Sequence, residues 1–227
     1  MLPSLVLALA QDDPQDDCRD LLNEAVQLYK QAIETERTRD ALNAFDKALR
    51  AKPDREVVVA WIKRTGEDII RAMLNSDPAQ QELARRLIRL VRPAEADPAK
   101  IKDLIQDLGH NFSGSHTVAR FQLLVYGPLA MPQLLPALND SNSDIVRSRV
   151  MAVIKRMGPE AAPFLIQSLE SDRDSFKLLR EGCCEILGEI ADPRALPALR
   201  RRLLDPAEHP EVKRNARTAL RRLAGRT

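Results

Sequence analysis

Apolar residues return at a fixed step of 33 along the second half of the chain. Val146, Leu179 and Val212 form one column, Ile154, Leu187 and Leu220 a second, and Met157, Ile190 and Leu223 a third. Offsets of eight and three between neighbouring columns put these residues on one stripe of a 3.6-residue helix. Gly158, Ala191 and Ala224 follow, small residues placed where each helix must close and the chain turn. Ahead of each stripe stands a shorter apolar window, "MPQLLPALND" from Met131, "APFLIQSLES" from Ala162 and "LPALRRRLLD" from Leu196, each with proline in second place. Proline is tolerated in the first helical turn, whose N–H groups have no intrahelical acceptor, so here it starts a helix. The pattern predicts a repeat of two helices, and a hairpin with a single apolar stripe cannot keep it dry alone. Stacking of copies is required.

The same register carries polar residues. Asp140, Asp172 and Asp205 end the first helices, and Arg147, Arg180 and Lys213 come seven or eight residues later. Through "DPRALPALRRRLLDPAEHPEVKRNARTALRRLA" and its two predecessors the chain resembles HEAT repeats, of the short type named after phycobilisome lyases. The resemblance implies an all-α, right-handed solenoid of stacked hairpins in which the turn Asp and the second-helix Arg or Lys form a hydrogen-bonded ladder between repeats. "PAKIKDLIQDLG" with "SHTVARFQLLVYG" is similar to a fourth, degenerate copy in which His116 takes the place of the Arg or Lys. The resemblance spans residues 98–224.

The first half reads as further helical hairpins. Ala41, Phe45, Ala48 and Pro53 are spaced as in the second helix of a tetratricopeptide repeat, with Leu22, Leu28 and Tyr29 on the helix before it. That family's usual glycine is absent, and the interhelix segment "ETERTRD" reads about three residues too long. Val57–Ile62 is apolar all round, which predicts a helix enclosed by neighbours and capped by Asp54. Asp77-Pro78 and Pro93 start and stop the next helix. The organisation expected is a leader over 1–17, TPR-like hairpins over 18–92, a linker "RPAEADP", and HEAT-like repeats over 98–227.

Composition agrees with an all-helical chain: 44% of residues are apolar, 30% charged and only 4% aromatic, with 8 glycines in 227 residues. The net charge of +2 conceals an asymmetry, since residues 1–56 hold 12 acids and 8 bases while residues 192–227 hold 4 acids and 10 bases. A basic end favours an acidic partner, and equally serves to keep a terminal repeat soluble. Nucleic acid is disfavoured because no aromatic residues interleave the arginines. The opening "MLPSLVLALA" is a short apolar run ending in small-x-small before a polar break. It predicts an export signal and an exported or periplasmic chain; the alternative is a hydrophobic N-terminus packed on a cytoplasmic fold. No other segment is expected to cross a bilayer.

Catalytic chemistry is sparse. The sequence has no phosphate-cradling glycine loop, no zinc spacing and no nucleophile elbow. Cys183 falls on the buried stripe with Cys184 beside it, and His110 and His116 lie in "HNFSGSH", read as a surface loop without a carboxylate to orient a base. No cofactor or metal is expected. The reading is a non-catalytic protein-interaction scaffold whose second helices offer Arg149, Lys155, Arg214, Arg217 and Arg221 to a protein partner. Two alternatives stand beside it: a chromophore-lyase-like activity, implied by the repeat type, and phosphate or nucleic-acid binding through the basic last repeat.

Overall fold

The computed structural model describes residues 14–35, 38–110, 113–140, 142–170 and 176–225. Residues 1–13 of the leader and Asp172 lie outside them. Every regular element among the described residues is helical. The chain divides into two compact units between Val91 and Arg92.

The first unit contains α1 (Pro14–Thr35), α2 (Thr38–Arg50), α3 (Arg55–Trp61), α4 (Glu67–Leu74) and α5 (Pro78–Val91). α1 begins inside the segment read as leader, with Asp16 and Asp17 in its first turn, where carboxylates complement the N-terminal dipole. α1 takes Glu34 and Thr35 of "ETERTRD" and α2 takes Thr38, Arg39 and Asp40, so the interhelix segment is shorter than its polarity suggests. α1 and α2 form a hairpin that packs on α3 and α5. Leu22, Ala41, Phe45, Ala48 and Val58 are fully enclosed in the core. Phe45 sits edge-on to Tyr29 and to Trp61, with ring centroids 6.3 and 6.0 Å away, and Tyr29 Oη donates to Gln80 Oε1 at 2.7 Å. Val58, Trp61 and Ile62 are buried, but Val57 and Val59 are half-buried and Ala60 is exposed, so the run is not enclosed all round, and the side chain of Asp54 does not cap α3. Asp77 does cap α5, accepting from the N–H groups of Ala79 and Gln80.

The second unit alternates first helices, α6 (Pro98–Asp107), α8 (Met131–Asn139), α10 (Ala162–Leu169) and α12 (Leu196–Leu204), with second helices, α7 (Ser113–Tyr126), α9 (Asp144–Met157), α11 (Lys177–Ile190) and α13 (Pro210–Ala224). Consecutive second helices pack side by side, α7 on α9, α9 on α11 and α11 on α13, with the first helices behind them. This is the stacked solenoid that the 33-residue period requires. Val150, Cys183 and Ala216, one per second helix at that period, are fully buried. α11 and α13 approach so closely that a Cβ on Gly188 would lie 2.8 Å from Ala219 Cα.

Proline again marks the starts. Asp192 accepts from the N–H of Arg194 and caps a short turn, Pro193–Ala195, and Pro197 lies in the first turn of α12. Gly158 closes α9 with φ of 70°, and Ala191 closes α11 in the left-handed region with φ of 57°. Ala224 differs, remaining helical while Gly225 forms the cap. A left-handed alanine carries a strain of roughly 1 kcal/mol that glycine does not. Ala191→Gly is therefore expected to raise stability by about 0.5–1 kcal/mol in a urea titration, and a loss of stability contradicts the strain.

One segment departs from the sequence expectation. Gly114–Asn139 is helical, long and apolar enough to meet a membrane-span criterion, with 50% of its most apolar stretch buried inside the fold. It is two helices of different layers, because Gly127 turns the chain at φ of 55° and leads through a tight turn, Gly127–Ala130, from α7 into α8. Its apolarity is that of the repeat core, shared by Leu123, Leu124, Met131, Leu134 and Leu138.

Candidate functional site

The second-helix layer of the second unit carries the polar side chains predicted to matter, and it uses them differently from the expected ladder. Asp140 accepts from the N–H of Asn142 in its own turn, so Arg147 finds no carboxylate there. Arg147 instead donates to the carbonyls of Leu138 at 3.0 Å and Leu178 at 3.1 Å, bridging to the next repeat through the backbone. Asp205 accepts from the N–H of Ala207, and Lys213 reaches the carbonyl of Pro206 at 3.2 Å. Neither of these two Asp–Arg/Lys pairs forms; Asp172, the third, is not among the described residues.

The strongest inter-repeat pair is one that the sequence did not single out. Arg180 Nε and Nη2 donate to the two carboxylate oxygens of Glu208 at 2.8 and 2.9 Å, and both side chains are buried. Arg202, also buried, lies 3.4 Å from the same carboxylate and donates from Nε to the carbonyl of Leu169 on the preceding first helix. Burial works against the Glu208 charge, but the bonds from Arg180 and the N–H of His209 outweigh it and hold its pKa below the usual carboxylate range. The family-like ladder is thus rebuilt from carbonyls and a loop glutamate.

Two of the five proposed contact residues are occupied within the fold. Arg149 donates to the carbonyls of Leu108 and His110, closing the C-terminus of α6, where cations suit the helix dipole. Lys155 pairs with Glu185 at 2.8 Å and Glu189 at 2.9 Å across α9 and α11. Burial disfavours the Lys155 charge, yet the two carboxylates prevail and raise its pKa above the ordinary lysine value. Arg214 is exposed and pairs with Glu211 one turn earlier on α13. Arg217 and Arg221 are exposed, one turn apart, and meet no ion-pair or hydrogen-bond partner among the described residues.

The cysteines and histidines fit structural roles. Cys183 and Cys184 are buried free thiols; burial drives the Cys183 pKa far up and pushes that of Cys184 up to about 12, so neither forms a thiolate near neutral pH. His209 stands at the start of α13 and accepts from the N–H of Glu211 through Nδ1. His110 is exposed, 3.4 Å from Asp107. His116 is not in a loop: it sits on α7, half-buried, one turn before Arg120. Among the described residues no group of three or more His, Cys, Asp or Glu side chains is arranged to hold a metal ion.

Arg120 is the site residue that sequence reading missed. It is half-buried, its Nε is enclosed without a hydrogen-bond partner, and burial followed by the charges of Arg156 and Arg149 lowers its pKa below the usual arginine value. Its spacing of four from His116 was legible. That no carboxylate answers it was not, because this depends on which helices meet.

A family model described as HEAT repeats matches residues 130–223. No curated protein sequence matches the chain. Among solved structures, human deoxyhypusine hydroxylase in complex with glycerol is similar at 19% identity over 93% of this chain and 86% of that one, with a TM-score of 0.34. At that score the likeness carries no argument about function. The match over 130–223, the period of 33 and the paired helix layers together make this part of the chain an array of HEAT repeats.

Proposed function

We propose that the chain is a non-catalytic protein-interaction scaffold whose second helices present a cationic face to an acidic protein partner. HEAT arrays commonly serve as interaction scaffolds, because stacked helices give a preorganised surface over which many small contacts add. The observation that carries the reading is the pair Arg217 and Arg221, exposed on α13 and unpaired among the described residues, while Arg149 and Lys155 are consumed inside the fold. The buried, protonated thiols favour this over nucleophilic chemistry.

The reading is tested by affinity purification from the native compartment with wild type and the Arg217→Glu/Arg221→Glu double variant. An acidic protein is expected with wild type and lost with the variant, its affinity falling as salt rises. Equal recovery by both proteins contradicts the assignment of this face, and recovery of nucleic acid replaces it with the phosphate-backbone alternative. A red-shifted tetrapyrrole bound by the purified protein would replace it with the lyase-like one. The compartment belongs to the same proposal: N-terminal sequencing of the mature chain is expected to begin at Gln11, and a chain beginning at Met1 contradicts export.

A further inference from the structure

The repeats of the second unit turn one edge to the repeat that follows. Lys155 on α9 pairs with Glu185 and Glu189, which stand one turn apart on α11. Gly188, 33 residues after Lys155, abuts Ala219 of α13. Arg221 is the third member of this column, and it is exposed with no ion-pair or hydrogen-bond partner among the described residues. Arg217, one turn earlier, follows Met151 and Cys184, both buried. Leu220 is half-buried, whereas Ile154 and Leu187 in its column are fully enclosed. The first helices agree. Seven residues after the starting proline, Asn139 accepts from the N–H of Leu179 and Glu170 pairs with Arg201 at 3.5 Å, each in the following repeat, but the equivalent Leu204 is 77% exposed. The α12–α13 hairpin therefore keeps open an apolar, arginine-rimmed edge that α9 and α11 cover with a neighbouring helix.

We propose that a second copy of this chain covers this edge with its α1, joining copies head to tail. On α1, Asp17, Leu21, Glu24 and Leu28 share one stripe through offsets of four, three and four, with Asp20 beside it. The three acids are exposed and have no ion-pair or hydrogen-bond partner among the described residues, and both leucines are half-buried. Asp20 and Glu24 stand one turn apart, the arrangement in which Glu185 and Glu189 hold Lys155. An acid-rimmed leucine stripe thus matches an arginine-rimmed one, and contact removes leucine surface from water. Two α13 edges would oppose like charges, so the contact is heterologous. This occupant rests on the reading of α13 as a contact face, and narrows the acidic partner to the chain itself.

Sedimentation equilibrium of the purified full chain tests the contact. The weight-average mass of wild type is expected to rise above that of one chain with concentration and to fall back as salt is added. Arg217→Glu/Arg221→Glu and Asp20→Arg/Glu24→Arg change only exposed side chains, and each is expected to raise the dissociation constant at least about tenfold, since like charges then meet. Mixing the two variants is expected to restore association, because the acidic α1 of one meets the basic α13 of the other. A wild type that keeps the mass of one chain at every concentration, variants that associate as wild type does, or a mixture that stays unassociated overturns the proposal. A foreign acidic protein captured by wild type and lost with Arg217→Glu/Arg221→Glu, while the purified chain stays monomeric, removes the second copy as occupant and leaves the interaction reading standing.

Discussion

Replacing Glu208 by alanine is expected to destabilise the second unit by about 3–5 kcal/mol, the range for removing one partner of a buried ion pair. The carboxylate is the common acceptor for Arg180 and Arg202, both buried, so its loss leaves two guanidinium charges short of their counterion. A shift of this size lowers Tm by roughly 10 °C in a chain of this length. The acid limb should change too. The Glu208 pKa is depressed in the folded state, so its contribution is full above the unfolded value of about 4.3 and is lost as pH falls through the folded one. Wild-type stability is therefore expected to drop more steeply than that of Glu208→Ala below about pH 4. Urea titrations at several pH values check both statements. A variant within about 0.5 kcal/mol of wild type contradicts the role of the pair.

Phe45→Ala is expected to cost the first unit a similar amount, about 3–5 kcal/mol, through lost transfer energy and the cavity left behind. Phe45 is fully enclosed and its ring touches two others edge-on, Tyr29 from α1 and Trp61 from α3, so truncation loosens three helices at once. Trp61 is the one tryptophan of the chain, and its fluorescence reports this core directly. The variant should show an earlier fluorescence transition and a changed emission in the folded state. Phe45→Leu, which keeps most of the volume, is expected to recover much of the loss.

These two sites differ in how far the sequence exposes them. Phe45 is legible because Ala41, Phe45 and Ala48 follow a helical period, and a period is a statement about one face of one element. The same holds for the columns that contain Val150, Cys183 and Ala216, and for the prolines that start α8, α10 and α12. Glu208 belongs to no period. It is a loop residue, and its partner Arg180 lies 28 positions earlier, so only the stacking of α11 against the last repeat joins them. The carbonyl acceptors of Arg147 and Arg202 are still less visible, since every residue carries a carbonyl. Arg120 is half legible: its spacing from His116 can be read, but the lack of an answering acid is a property of the assembled layer. The TPR-like pattern predicts a loop where α1 ends and α2 begins, because polar, solvated helix ends and a loop have the same composition.

Presentation of a continuous face presupposes that the HEAT hairpins share one cooperative interior. Native-state hydrogen exchange on wild type and Glu208→Ala tests this most directly. Amide protection is predicted to fall together across α11 and α13, because removing the Glu208 carboxylate weakens the stack and not merely its own loop. Loss of protection confined to residues 205–209, with Lys177–Ile190 unchanged, would contradict it.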